Sequence, residues 1–586
     1  MSVVRHIVRI SYVIFILALA VATFIEWQLG TSFAHEVIYG SWWFIAIIAV
    51  MSVASSVIFV RAVRSNKPAM LVHLALLTIL AGAFTTHILG VQGTMYLRKD
   101  VRTDVYLLDD GTMRKMPFGV TLTSFDVCYY PGTDAAMDYR SEIVTDDGLS
   151  YVVSMNNVFS SRGFRFYQNS YTDEGSVLTV NYDPLGIAIT YLGYILLALG
   201  FILVLANPRG RFRTLLKSLS VCCLMFVVGG CVATEDSLLE DVPTTDEAQC
   251  VEESLLMLYN DRIVPIETYA IDFTLKVTGR RSYGGLTPMQ FLLGWYSQPA
   301  MWDTVACIEV NETLPEECGI SSDRRYISLS ELFDGEGRYK LEPYFAHLSE
   351  RPPKSVRLLN DKVQLLCMLT LGESMKLFPH NLADSSVLWR AAEGDSISET
   401  LVADLRNSLS CHDMALLTTT CESIASVQQS RGGESLPSAT RIYTERCHNK
   451  LQLTKWLFML CLTFGMIFLF VNIYAYSHNR EYLIIRKIQT LLVVFFFVFQ
   501  TTSLVMRAVI SGNIPLASGH ETMLFLSWSL LLVTLVMRNV IPLFRSMGML
   551  LAGFTLLVAH IGLSNPHITP LMPVLHSPWL SSHVAT

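Results

Sequence analysis

The segment from His73 to Asp100, HLALLTILAGAFTTHILGVQGTMYLRKD, contains the transition that decides the fold. It begins inside an apolar run over roughly residues 69–89, and about 20 such residues cross a bilayer core about 30 Å thick. The chain then leaves this run through a glycine-rich stretch and becomes polar. The pattern therefore predicts a membrane helix that leads directly into an aqueous domain.

The rest of the 586-residue chain contains further apolar runs of similar length. Only 16% of the residues are charged, whereas soluble domains carry about 25%. The net charge of −7 gives no basic footprint for nucleic acid, so we expect no nucleic-acid partner. A polytopic α-helical membrane protein in contact with lipid is predicted. Its other spans are expected at roughly 7–27, 41–62, 185–206, 215–233, 454–475, 488–510, 521–537 and 540–563.

The distribution of Lys and Arg predicts the orientation of these spans, because basic residues collect in cytoplasmic loops. Two short loops, TSFAHEVIYG and SGNIPLASGHE, contain neither Lys nor Arg, whereas the loops that alternate with them are basic. With nine spans, the N-terminus is then cytoplasmic. The long segments 93–184 and 234–452 both lie outside.

The two outer segments differ in pattern. The first contains the alternating or β-branched runs VTLTSFDVCYY, YVVSMNNVF, FRFYQNSY and VLTVNYD, which predict a β-rich domain. The second contains the helical runs LTPMQFLLGW and KVQLLCMLTL and is expected to be mixed α/β or mainly α. We expect five parts: membrane helices 1–92, a β-rich outer domain 93–184, membrane helices 185–233, an outer domain 234–452 and membrane helices 453–586.

Seven of the twelve cysteines fall in the second outer segment. Disulfides are permitted outside the cytoplasm, but the number is odd and the sequence leaves the pairing open. The chain contains no C-x-x-C-H motif and therefore no c-type haem attachment site of its own.

His73 is an ionisable residue about one turn inside a predicted span, which makes it a candidate functional residue. A neutral imidazole can ligate haem iron. The alternative is a hydrogen bond to a backbone carbonyl of a neighbouring helix. His87, near the outer end of the same span, is a second candidate that could simply reach interfacial water.

A second set of candidates lies near the C-terminus. Arg507 precedes a loop that carries His520 and Glu521, and it could pair with Glu521 or bind an anion such as a haem propionate. The final segment NPHITPLMPVLHSPWLSSHVAT contains His567, His576 and His583. Its Trp579 suits the membrane–water interface. We interpret this segment as an interfacial metal or haem site.

Five segments resemble system II cytochrome c biogenesis proteins. His73–Asp100 and GFRFYQNSYTDEGSVLTVNYDPLG resemble the ResB-like component, whereas ISGNIPLASGHETMLFLSW and PVLHSPWLSSHV resemble the opening of the CcsA-like component. DRIVPIETYAIDFTLKVTGRRSYGGLTPMQFLLGW resembles the insert of fused forms. The resemblance implies a protein of the bacterial inner membrane that exports haem b and presents it to apocytochrome c for thioether attachment.

The resemblance also implies roles for particular residues. His73 matches a membrane-embedded haem ligand, and His583 matches the first of two outward-facing haem ligands. Arg507 and Trp579 would lie near the haem, and His520, Glu521, His87 and His576 are further candidates. The family's W-G-x-x-W-x-W-D segment and the histidines that follow it are absent, so the chain is expected to be truncated.

Two functions follow from the resemblance. In the first, the chain exports haem and presents it outside, with apocytochrome c and a thiol–disulfide reductase as partners. In the alternative, it is a non-catalytic scaffold that binds apocytochrome c or the reductase while another chain carries haem. The complete family acts as a cytochrome c synthase, and whether this chain is itself an enzyme stays open.

Overall fold

A computed structural model describes most of the chain, which forms two compact units. The first comprises residues 1–127 and 138–221, and the second comprises residues 128–137 and 222–586. The described residues are 2–62, 67–108, 110–206, 242–310, 314–315, 320, 324–345, 352–381, 387–478, 483–539, 543–561 and 567–573.

The helices of the first unit are apolar along most of their length. They are α1 (Ser2–Leu29), α2 (Thr31–Ala34), α3 (Trp42–Ala62), α4 (Lys67–Leu89) and α5 (Pro184–Ala206), with a π-helical turn at His35–Tyr39 between α2 and α3. Helices α1 and α3 pack around Ala22, Ile38 and Phe44. The four long helices correspond to the first four spans expected from the sequence.

The β-rich domain is one eight-stranded antiparallel sheet between α4 and α5. Strands β1 and β8 pair along their whole length, from Val91 with Tyr182 to Arg98 with Gly175. Met95, Phe166 and Val180 are fully buried in its core. The strand order is β5-β4-β3-β2-β1-β8-β7-β6. The strands are β1 (Val91–Arg98), β2 (Arg102–Leu108), β3 (Met113–Tyr129), β4 (Ala136–Thr145), β5 (Ser150–Ser154), β6 (Phe159–Ser161), β7 (Phe164–Thr172) and β8 (Gly175–Tyr182).

Asp183 anchors the two membrane helices where they meet the sheet. This buried carboxylate accepts the Gly186 backbone N–H at 2.9 Å and caps α5. Its other oxygen accepts the Thr86 hydroxyl hydrogen from α4 at 2.5 Å. Because β1 follows α4 and β8 precedes α5, the pairing of the central strands brings the two helices together.

Three glycines of α5, at positions 186, 193 and 200, recur every seven residues and face α4. A Cβ on Gly193 would lie 2.6 Å from Ile79 Cγ1 and 2.9 Å from the Ile79 backbone nitrogen. Small residues allow helix backbones to approach closely in a membrane, where packing replaces the hydrophobic effect. The glycines therefore set the close contact between α4 and α5.

We predict that Gly193→Leu destabilises the first unit by about 1–3 kcal/mol, because the new side chain would push α4 and α5 apart. Thermal unfolding of the purified protein in detergent measures the effect. Ile195→Leu is the matched control, since Ile195 lies on the same helix and is 65% exposed. Equal unfolding temperatures for the two variants would contradict the packing argument.

The polar part of the second unit is mainly helical, with three two-stranded sheets. Trp295, Trp302 and Phe291 are fully buried in its core. The helices are α6 (Thr245–Ser254), α7 (Ile266–Thr278), α8 (Pro288–Ser297), α9 (Pro299–Trp302), α10 (Lys354–Thr370), α11 (Ser396–Ser410), α12 (Met414–Gly432) and α13 (Ala439–Leu451). The strand pairs are Leu256–Tyr259 (β9) with Arg262–Pro265 (β10), Ile308–Glu309 (β11) with Tyr326–Ile327 (β12), and Phe378–Asn381 (β13) with Val387–Arg390 (β14).

Four long apolar helices complete the second unit. Inside them, Gln489 donates to Asn472 at 2.9 Å and Asn472 donates to Ser546 at 3.1 Å. These polar side chains thus find partners on neighbouring helices, as an apolar bilayer requires. The helices are α14 (Leu453–Ser477), α15 (Leu483–Ser511), α16 (Gly519–Met537) and α17 (Phe544–Ile561).

The expectation of a helical membrane protein with a β-sheet domain is confirmed. Within the described residues, seven helices are long and apolar enough to cross a membrane, and Trp42–Val57 is a shorter apolar segment of α3. The span expected at 215–233 lies outside the described residues. The extracytoplasmic position of the two polar parts stays a prediction.

Candidate functional site

A buried ion pair lies where α15 passes into α16. Arg507 donates from Nε and Nη2 to Glu521 Oε1, at 3.3 and 3.1 Å. The two side chains are 3% and 5% exposed. The other carboxylate oxygen of Glu521 accepts the Ala517 backbone N–H at 2.9 Å. The pair therefore compensates a buried guanidinium and fixes the loop between the helices.

His520, next to Glu521, is buried and held in one orientation. Its Nδ1 lies 3.2 Å from the carbonyl oxygen of Ala559 in α17. Because a carbonyl oxygen only accepts hydrogen bonds, Nδ1 carries the hydrogen and the neutral ring keeps its lone pair on Nε2. An imidazole oriented in this way is suited to serve as a metal ligand.

Other histidines and arginines lie within electrostatic range of His520 or of His448. His560, His567 and Arg507 lie within electrostatic range of it. His448, on α13, lies within range of both His520 and Arg507. We refer to the whole group as the histidine–arginine cluster: His448, His520, His560, His567, Arg262, Arg281 and Arg507.

Arg262 connects the polar part of the unit to this cluster. Its Nη1 and Nη2 donate to Glu445 of α13, at 3.1 and 2.8 Å. Its Nε donates to the carbonyl oxygen of Ile568 at 2.7 Å. The guanidinium is 6% exposed and the Glu445 carboxylate 4% exposed. The contact therefore holds the segment 567–573 against β10 and α13.

Asp272 holds the same segment through His567. Its Oδ1 lies 2.8 Å from His567 Nε2, and its Oδ2 lies 2.7 Å from the ammonium of Lys276. The Tyr259 hydroxyl donates to Oδ2 as well. Burial by itself would raise the pKa of Asp272, but His567 and Lys276 together hold it below its usual range.

The pKa of Glu267, which precedes Asp272 on α7, is shifted in the opposite direction. Burial, followed by the nearby negative charge of Glu252, raises the pKa of Glu267 to about 7. Its side chain is 7% exposed, and Oε2 has no hydrogen-bond partner within the described part of the chain. The positive charges of Lys450 and Arg281 oppose the shift. Glu267 is thus partly protonated near neutral pH.

The structure brings together four of the residues predicted from the sequence: Arg507, His520, Glu521 and His567. The predicted pairing of Arg507 with Glu521 is present, whereas a propionate contact by Arg507 stays a prediction. His73 and His87 lie on α4 in the first unit, both with exposed side chains. His576, Trp579 and His583 lie outside the described residues.

Sequence reasoning missed His448, Arg262 and Asp272. Arg262 lies on the apolar strand β10 and Asp272 on the 13-residue helix α7, and no sequence motif singles out these two residues or His448. The segment Asp261–Trp295, which resembles an insert, contained Arg262 and Asp272 but gave no signal of their partners. Within the described residues, no group of three or more His, Cys, Asp or Glu side chains is arranged to hold a metal ion.

Comparison with known proteins gives two similarities. Residues 68–185, which include most of α4, the whole sheet and the first residues of α5, match the ResB-like family and form a ResB-like domain. Over 517 residues the chain is 28% identical to Protein NrfI of Wolinella succinogenes. The alignment covers 80% of this chain and 56% of that protein, so the chain spans little more than half of its relative's length.

We predict that Glu521→Gln destabilises the second unit by about 3 kcal/mol, because the buried guanidinium of Arg507 loses a compensating negative charge. Thermal unfolding in detergent measures the loss. Glu174→Gln is the control: Glu174 also pairs with an arginine, Arg98, but the two side chains are 68% and 72% exposed. An equal response of the two variants would contradict the role assigned to burial.

Glu267 should make stability depend on pH. Its pKa is raised from 4.5 in the unfolded chain to about 7, so its contribution is fully present below pH 4.5 and is lost as the pH rises through about 7. We expect Glu267→Gln to be more stable than the wild type at pH 8 by about 2 kcal/mol and equal to it near pH 4.5.

The control for this experiment is Glu253→Gln, which changes an exposed carboxylate close to the same region. Unfolding temperatures of the three proteins are compared at pH 4.5, 6, 7 and 8. A difference between Glu267→Gln and the wild type that does not grow with pH would contradict the assignment.

Proposed function

We propose that this protein acts in cytochrome c biogenesis, where it handles haem b and presents it to apocytochrome c. The observation that carries the proposal is the ResB-like match over residues 68–185, which covers the described transition from α4 through the sheet to α5. The similarity to Protein NrfI over 80% of the chain supports the same assignment beyond the ResB-like domain.

The histidine–arginine cluster fits the chemistry of haem as a transported substrate. A haem needs an axial base for its iron and cations for its two propionates. His520 offers an oriented Nε2, and His448 lies within electrostatic range of His520. Arg262 and Arg281 add positive charge near His448. We therefore propose that His520 ligates haem iron during transfer.

The remaining haem contacts are proposed from the sequence. His73 would take haem near the cytoplasmic face, and His583 would hold it outside with Trp579 nearby. Apocytochrome c would bring its two reduced thiols, kept so by a thiol–disulfide reductase, to the haem vinyl groups. Thioether bonds would then form through proximity and orientation, without a nucleophilic side chain from this protein.

The experiment titrates haem into the purified full chain in detergent and records the Soret band. We expect His520→Ala and His73→Ala each to weaken haem binding about tenfold, because each removes an axial nitrogen. His478→Ala is the matched control, since His478 lies at the distant end of α14 with an exposed side chain. It should bind haem as the wild type does.

Two results would contradict the proposal. A wild-type protein that takes up no haem but still binds apocytochrome c would favour the scaffold function. In cells, normal levels of c-type cytochromes after replacement of both His73 and His583 would exclude these histidines from haem transfer. If His478→Ala lost haem binding as strongly as His520→Ala or His73→Ala, the loss would indicate general damage to the protein.

A further inference from the structure

Two cysteines lie on neighbouring helices in the polar part of the second unit. Cys250 lies on α6 and Cys421 on α12, and the two thiols lie close enough to influence each other electrostatically. The Cys250 thiol also lies 3.9 Å from the hydroxyl of Thr418, which is one turn before Cys421 on α12. The Cys250 thiol therefore points toward α12 about one turn from Cys421.

The other described cysteines of this polar part have different neighbours. The Cys307 thiol is buried beside Trp295, and the Cys447 thiol contacts Tyr443 one turn away on the same helix. Cys367 and Cys411 are exposed. Among the cysteines that the structure describes in this part, Cys250 and Cys421 are the pair whose thiols influence each other.

Helix α6 is short, and noncovalent contacts hold its N-terminal turn in place. Its N-terminus is closed by a capping box between Thr244 and Glu247. The Glu247 carboxylate also receives His412 Nδ1, at 3.1 and 3.2 Å, from the turn before α12. The noncovalent contacts thus already align α6 with α12, and Cys250 lies one turn further along α6, where its thiol contacts Thr418 of α12.

We propose that Cys250 and Cys421 form a disulfide that fastens α6 to α12. The oxidant is a disulfide compound, either a protein of the thiol–disulfide oxidoreductase class or a small-molecule disulfide. The linked residues are about 170 positions apart, and closing a loop of that size restricts the unfolded chain strongly. The bond therefore stabilises the domain and makes its stability sensitive to redox conditions.

The two steps of the exchange follow from accessibility. Cys250, which is half-buried, attacks the oxidant as a thiolate, forms a mixed disulfide and releases one oxidant thiol. Cys421, which is 1% exposed, then attacks the Cys250 sulfur and releases the second thiol. Two protons and two electrons pass to the oxidant. Burial raises the pKa of the Cys421 thiol, which favours this order over the reverse.

The test oxidises the purified full chain in detergent with oxidised glutathione, alkylates the remaining thiols and analyses the digest by mass spectrometry without reduction. We expect a peptide pair linked through Cys250 and Cys421. We also expect the unfolding temperature to rise by about 5–15 °C on oxidation of the wild type. Dithiothreitol should reverse both changes.

Cys250→Ser and Cys421→Ala should each abolish the link and the rise, whereas Cys411→Ser, which changes an exposed cysteine, should keep both. Separate alkylation of Cys250 and Cys421 in the oxidised wild type would overturn the proposal. So would a stable link from Cys250 to a different cysteine. Because these readouts use the wild-type protein, they hold even if a variant folds poorly.

Discussion

The ion pair of Arg262 with Glu445 is the contact on which the second unit depends. It joins β10 to α13, and α13 ends where the membrane helix α14 begins. The same guanidinium donates to the backbone of Ile568 and so positions the segment that carries His567. Because both charges are buried, loss of either would leave the other without its partner in a poorly solvated place. The histidine–arginine cluster is assembled around this pair.

The buried polar groups of the membrane helices also need partners. Polar groups that leave water must find partners within the chain, and they do so at positions that set the packing. Asp183 receives Thr86 and caps α5 where the helices meet the sheet. Asn472 connects Gln489 and Ser546 inside the C-terminal helices. Each polar contact fixes the register of two elements, whereas apolar surfaces alone would allow them to slide.

The two parts that support the proposed function fold around separate cores. The ResB-like residues belong to the first unit except for 128–137, which belong to the second unit together with the histidine–arginine cluster. Their chemistry is complementary: one part is a membrane-anchored sheet, and the other supplies imidazoles and guanidinium groups. The proposed handling of haem would draw on both, and the similarity to Protein NrfI extends over most of the chain.

The sequence by itself determined the membrane helices and the β-rich domain, because apolar length and two-residue alternation are local properties. It also indicated Arg507 and Glu521 as partners, since only 14 positions separate them. Only the tertiary structure placed Arg262 beside Glu445, 183 positions away, and beside Ile568, 306 positions away. It also brought Cys250 to Cys421. Such contacts arise where separate elements pack together, and no local pattern of residues records which distant element will supply the partner.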